Sequence, residues 1–194
     1  MARKLPKAER RAQLLETALA IVREEGADAL TLGRLAERAG VSKPVAYEHF
    51  TTRAGLMIAL CHQIDAAQMV ALKAAIAAVP QRLDAIAEIM AAAYMDCHVA
   101  IGPEWHAITA ALKGDEEMDR AGQAMLDGYA ALYAATLGPF TALDPGDLHL
   151  RCTGLIGAGE AISRDLIRGR VDRPAAVAAF TALIVAGLGP GIPR

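Results

Sequence analysis

Thr31-Leu32-Gly33-Arg34-Leu35-Ala36-Glu37-Arg38-Ala39-Gly40-Val41-Ser42-Lys43-Pro44-Val45-Ala46-Tyr47-Glu48-His49-Phe50 is the stretch that decides the fold. Thr31 stands where a hydroxyl can accept a hydrogen bond from the open first turn of a helix, and Leu32, Leu35, Ala36 and Ala39 then recur on one face. Gly40 ends that helix after little more than two turns. Ser42 can cap the next at once, and Pro44 is tolerated in its first turn because the N–H it lacks has no intrahelical acceptor there. Two short helices joined at Ala39-Gly40-Val41-Ser42 make a helix-turn-helix.

Upstream, Leu14, Leu15, Ala18, Leu19 and Val22 recur at helical spacing from about Lys7 to Glu25, and Gly26 occupies the C-terminal stop. Downstream, Thr51 or Thr52 caps a fourth helix that continues to Val79, where Pro80 forces the preceding residue out of helical geometry. At the helical rise it spans roughly 40 Å, enough to leave a small front domain and enter a second one. Apolar periodicity then predicts a helix over Gln81–Ile101, a short one around Trp105–Leu112, and one from Asp115 to Leu137. A further helix follows Asp144-Pro145-Gly146 and ends near Gly169, and the last opens at Pro174 and stops by Gly187. About nine helices and no run of period two predict an all-α chain with domains at 1–51 and 52–194.

Composition agrees, since the 54% hydrophobic content is dominated by alanine and leucine, residues that lose little in a helix. Cys61, Cys97 and Cys152 lie far apart and suggest neither a disulfide framework nor a zinc knuckle. No signal-peptide pattern and no unbroken apolar run of about 20 residues is present, so the expectation is a cytoplasmic protein without a membrane partner. The net charge of -2 divides unevenly. Residues 1 to 56 hold 10 Lys and Arg against 7 Asp and Glu, 10 - 7 = +3, which leaves -5 for the remainder. A basic front on an acidic body suits a protein that presents one end to a polyanion, although +3 by itself is ordinary.

The quoted stretch, with Arg53 and Leu56 beyond it, resembles the DNA-binding signature of the tetracycline-repressor (TetR) family over residues 10 to 60. The resemblance implies a helix-turn-helix DNA-binding domain followed by a helical domain for ligand binding and dimerisation. It implies a homodimeric, sequence-specific transcriptional regulator, typically a repressor that a small molecule releases from a roughly palindromic double-stranded operator. Thr31 and Ser42 sit at helix N-termini, where backbone N–H groups and the helix dipole favour a phosphate. Lys43 can reach a base edge or another phosphate. The resemblance further implies that Tyr47, His49 and Arg53 touch phosphates, and Val41 and Phe50 are expected to pack inward. Pro44 and Val45 depart from the glycine and threonine commonest in the family. They leave few donors for base readout, so Val45 and Ala46 could instead meet thymine methyl groups or the site could be read through DNA shape. The cations at Arg3, Lys4, Lys7, Arg10 and Arg11 fit either a groove-following arm or a solvated tail.

In the second domain Tyr94 and His98, and again Tyr129 and Tyr133, are one helical turn apart, with Trp105 and His106 between them in sequence. Such groups join an apolar body to a polar tip, as a cavity for a mostly apolar small molecule requires, yet aromatic pairs also fill ordinary cores. Asp96, Cys97, His98, Glu104 and His106 match no compact metal-ligand spacing, and neither a metal nor another cofactor is expected. Gly154, Gly157, Ala158 and Ala161 near one face, and Val177, Phe180, Ala182, Leu183 and Ile184 on the last helix, suit either a four-helix dimer interface or a close intramolecular hairpin. An all-helical small-molecule enzyme is the main rival, but the chain has no glycine-rich phosphate loop, nucleophile elbow or paired Glu-x-x-His, and no catalytic residue is assigned. A nonspecific DNA-coating protein would carry more positive charge.

Overall fold

A computed structural model describes residues 5–101 and 116–189. They form eight α-helices and no strand. The short helix expected around Trp105–Leu112 lies outside the described residues. Close contacts divide the described chain into two units, residues 5–66 with 116–122, and residues 67–101 with 123–189.

In the first unit α1 (Lys7–Glu25) follows Pro6 and ends at Gly26, whose φ of 89° suits a residue without a Cβ. Its buried face is Leu14, Leu15, Ala18, Ile21 and Val22, while Leu19, expected inward, is only half-buried. A 3-10 turn at Ala27–Ala29 leads to α2 (Leu32–Arg38). Thr31 Oγ1 accepts from the Arg34 amide at 3.1 Å, which is the cap the sequence implied. Gly40, at φ 65°, closes α2 with the Schellman pair, in which the Val41 amide reaches the Ala36 carbonyl at 3.0 Å and the Gly40 amide that of Glu37 at 3.2 Å.

α3 (Lys43–Phe50) begins immediately. Ser42 is its N-cap residue, yet the hydroxyl makes no capping bond. The cause is local: Pro44 occupies the second helical position and has no N–H, and the Val45 amide already bonds the Ser42 carbonyl at 3.0 Å. After Phe50 the chain makes a γ-turn at Thr51, φ 60° and ψ -53°, closed by the Thr52 amide on the Phe50 carbonyl at 2.5 Å. Thr52 then caps α4 (Arg53–Ala77), its hydroxyl accepting from the Gly55 amide at 2.9 Å. A Cβ at Gly55 would lie 2.4 Å from the Phe50 carbonyl oxygen, so this turn admits only glycine. By length and composition α4 could cross a membrane, but Leu56, Met57, Leu60, Cys61 and Leu72 are buried in the fold.

Glu24 and Glu25 at the end of α1 bind Arg34 and Arg38 of α2. Arg34 meets Glu25 at 3.0 Å and Glu37 at 2.9 Å, and Arg38 meets Glu25 at 2.9 Å and also Glu24. Hydrogen bonding from Arg34 holds the Glu25 carboxyl below its ordinary range.

The second unit contains α5 (Leu83–Ile101), most of α6 (Glu116–Leu137), α7 (Pro145–Ile167) and α8 (Arg173–Gly187). α5, α7 and α8 pack mutually. Asp144 caps α7 through the Gly146 and Asp147 amides at 2.9 and 3.1 Å, and Asp172 caps α8 through the Ala175 amide at 2.8 Å. The core joins Ile86, Met90 and Met95 of α5 to Leu155 and Ile156 of α7 and Phe180 and Ile184 of α8. Arg173 clamps Asp96 through both oxygens, at 2.5 and 2.7 Å.

Candidate nucleic-acid interface and aromatic cluster

α2 and α3 meet because Leu32, Leu35, Ala36, Ala46 and Phe50 turn inward. That packing leaves Thr31, Ser42, Lys43, Pro44 and Tyr47 exposed along one face, with Tyr47 53% accessible despite its size. A Cβ placed at Gly33 would sit 3.9 Å from both Lys43 Cε and Thr31 Oγ1, so the start of α2 and the first turn of α3 share one surface. Among the described residues neither Lys43 nor Tyr47 has a hydrogen-bond or ion-pair partner, and their polar ends face water. Ala46, by contrast, is fully buried and cannot meet a base, which corrects half of the expected apolar readout. Val45 is half-buried.

The end of α3 lies against α1. Arg11 donates to the His49 carbonyl at 2.9 Å and its guanidinium covers the Phe50 ring at 4.8 Å. Lys7 meets Glu48 at 3.6 Å. His49 is half-buried, and desolvation depresses its pKa, with Lys7, Arg10 and Arg11 acting in the same direction and Glu48 against it. Arg53 donates from Nε to the Leu30 carbonyl and from Nη2 to the Ala27 carbonyl, both at 2.9 Å. It therefore ties the start of α4 to the turn before α2, a role no spacing in the sequence signalled.

In the second unit the structure brings Tyr94, His98, Tyr129 and Tyr133 together, while Trp105 lies outside the described residues. Tyr94 and His98 stack with centroids 4.4 Å apart, and Tyr94 meets the edge of Phe180 at 5.4 Å. Burial raises the Tyr94 pKa, and the phenols of Tyr133 and Tyr129 lie close enough to raise it further. Gly159 makes room for the rings, since a Cβ there would be 2.8 Å from Phe180 and 3.0 Å from Tyr94. Gly154 and Gly157 face open space instead. Phe180 and Ile184, which suited either a dimer interface or an intramolecular hairpin, are buried in the core of this unit.

Gln68 is the member that sequence reasoning missed. It accepts from the Tyr129 hydroxyl at 3.3 Å. The available signal was its position four residues before buried Leu72, on the same face of α4. Of the metal-ligand candidates, Asp96 is held by Arg173, and Glu104 and His106 lie outside the described residues.

A helix-turn-helix capped and stopped in this way, with its second helix bared, defines a class of nucleic-acid-reading proteins. Residues 14–60 match the family described as "Bacterial regulatory proteins, tetR family". Over that segment the chain is similar to members of the tetR family. It is 44% identical over 57 residues to the HTH-type transcriptional activator FasR of Mycolicibacterium smegmatis, a match that covers 29% of this chain and 26% of that protein. The match thus spans about a quarter of that relative's length. Solved structures share the fold along almost the whole chain. A transcriptional regulator from Pseudomonas aeruginosa PAO1 gives a TM-score of 0.78 at 18% identity, covering 96% of this chain and 94% of that one. The fatty acid degradation regulator FadR of Bacillus halodurans gives 0.75 at 18% identity, covering 96% and 98%. The multidrug binding protein EbrR, complexed with imidazole, gives 0.74 at 19% identity, covering 98% and 100%.

Proposed function

We propose that the chain is a cytoplasmic, homodimeric, operator-specific DNA-binding repressor that a small, mostly apolar molecule releases from DNA. The observation that carries the DNA reading is the exposed, unpartnered pair Lys43 and Tyr47 on α3, beside the N-terminus of α2. Lys43 reaches a base edge or phosphate, and Thr31, Ser42, Tyr47 and His49 hold phosphates on either side. Pro44 and Val45 face the groove without donors, so part of the sequence preference comes from apolar contact and DNA shape. Arg53, with two donors on carbonyls, contributes a phosphate contact only through its remaining edge and otherwise sets the angle of α2. An operator selected from random duplexes tests this. Lys43→Ala and Tyr47→Ala proteins that fold normally yet bind it as tightly as the parent at fixed salt, or a parent that unrelated DNA displaces equally well, would sink the proposal.

The dimer reading rests on the outward faces of the last two helices. Leu150 (71% accessible), Gly154, Gly157 and Ala161 run along α7, and Ala179, Leu183 (44%) and Ala186 along α8. Small residues there let partner backbones approach. Gly157→Trp should give a monomer by sedimentation, because nothing within one chain opposes the larger side chain.

For the effector, support comes from the cluster of Tyr94, His98, Tyr129 and Tyr133, and from the shared fold with FadR and EbrR. α4 runs unbroken from Arg53 through Gln68, so displacement of Gln68 acts on the helix that begins at the DNA-binding end. A ligand shifts DNA affinity only by its differential affinity for two arrangements, typically about 5- to 150-fold. Operator titration with and without each bound compound reads this directly.

A further inference from the structure

The aromatic cluster contains two polar atoms that are buried and have no partner among the described residues, the Tyr133 hydroxyl and Gln68 Nε2. Tyr133 is wholly buried on α6, and the Gln68 side chain is already committed at its oxygen to Tyr129. What remains of Gln68 is therefore a donor, and the Tyr133 hydroxyl is free to donate. Leaving buried donors unmet is costly, and folded proteins retain such groups where something else completes them. The surroundings restrict what that is. Tyr94, Met90, Met95 and Phe180 provide an apolar wall, and the half-buried Glu160 carboxylate lies near Tyr94. Among the described residues no lysine or arginine is buried. An anion placed here would lose its hydration and find no lysine or arginine, only the His98 imidazole, whose Nδ1 is already on the Tyr94 carbonyl.

We propose, resting on the effector reading above, that the ligand is a neutral molecule with an apolar body and a carbonyl-type oxygen, which accepts hydrogen bonds from Tyr133 and Gln68. A ketone, ester or amide meets the requirement. A free carboxylate and a plain hydrocarbon do not. The same two donors thus select for an acceptor and, with no buried lysine or arginine at hand, against a negative charge.

The test uses the full chain without DNA, titrated calorimetrically with acetophenone, ethylbenzene and benzoate, and with methyl decanoate against decanoate for a longer occupant. The ketone or the ester should bind at least about tenfold more tightly than its hydrocarbon or carboxylate counterpart. Tyr133→Phe and Gln68→Met should each erase roughly five- to tenfold of that preference, the value of one hydrogen bond, and leave ethylbenzene unchanged. The Tyr133→Phe protein, relieved of an unmet hydroxyl, should also melt higher than the parent without ligand. Equal binding of ketone and hydrocarbon, preference for the carboxylates, binding of none of the five at millimolar concentration, or a lower melting temperature for Tyr133→Phe each overturns the proposal. Because binding is read without DNA, a ligand that binds as stated but leaves operator affinity unchanged refutes the release mechanism instead.

Discussion

The two units handle their polar groups in opposite ways. Around the helix-turn-helix, half-buried Arg53 is bonded to two carbonyls and exposed Thr31 to the Arg34 amide, while Lys43 and Tyr47 stay in water. In the second unit Tyr133 and Gln68 leave donors unmet inside. A surface that meets a hydrated polyanion can keep its contacts solvated until binding, at little cost to folding. A group that reads a mostly apolar small molecule must be buried with it, and its unmet state weakens the protein until the ligand arrives. On the proposed readings, stability and function are nearly separable in the first unit and opposed in the second.

The largest effect that could break this contrast is at Phe50, which packs the helix-turn-helix and carries the Arg11 guanidinium. Phe50→Ala should cost about 3–5 kcal/mol in chemical unfolding and abolish operator binding with it. A loss of binding in a protein of parental stability would show that Phe50 takes part in reading directly, so that the packing residues and the reading residues are not distinct sets. Gly55→Ala comes next, since its Cβ meets a backbone oxygen that cannot move aside, and a loss of about 1–3 kcal/mol is expected. Gly157→Ala, with open space around it, is the control and should stabilise the isolated subunit by about 0.5–1 kcal/mol, the usual gain of alanine in a helix interior.

Lys43→Ala should leave the melting temperature alone and weaken operator binding by about 1–3 kcal/mol if it reads a base. If it holds a phosphate instead, the loss should be uniform across sequences and the slope of log affinity against log salt should fall by about one. The smallest effect concerns Glu25. Its folded pKa lies below the ordinary value of 4.5, so its contribution to stability is present above that value and disappears as pH falls through the folded one. Melting curves of the parent and Glu25→Gln should therefore differ near neutrality and converge in acid; a difference that grows on acidification would reverse the assignment.

How much could be read in advance follows from the range of the interactions. Thr31, Gly40, Thr52 and Asp144 end or begin helices through bonds two or three residues long, and the expected boundaries of the helix-turn-helix agree with the observed ones to within a residue. Ser42 differs for an equally local reason, the proline two positions on. The pairs Tyr94 with His98 and Tyr129 with Tyr133 were visible as single-turn spacings, but their convergence depends on α5 and α6 being placed against α7 and α8.

By itself, then, the sequence determined the described helices, most of their caps and the register that bares Lys43 and Tyr47, because a hydrogen bond to the next turn is available to the chain before anything else folds. Only the tertiary structure decided that Ala46 faces inward, that Arg53 is spent on Ala27 and Leu30, that Gly159 rather than Gly157 admits its neighbours, and that Tyr133 keeps an unmet hydroxyl. The contacts of Arg53 and Gly159 depend on atoms that arrive from 20 or more residues away, and the packing of distant helices leaves no periodic trace at the positions it selects.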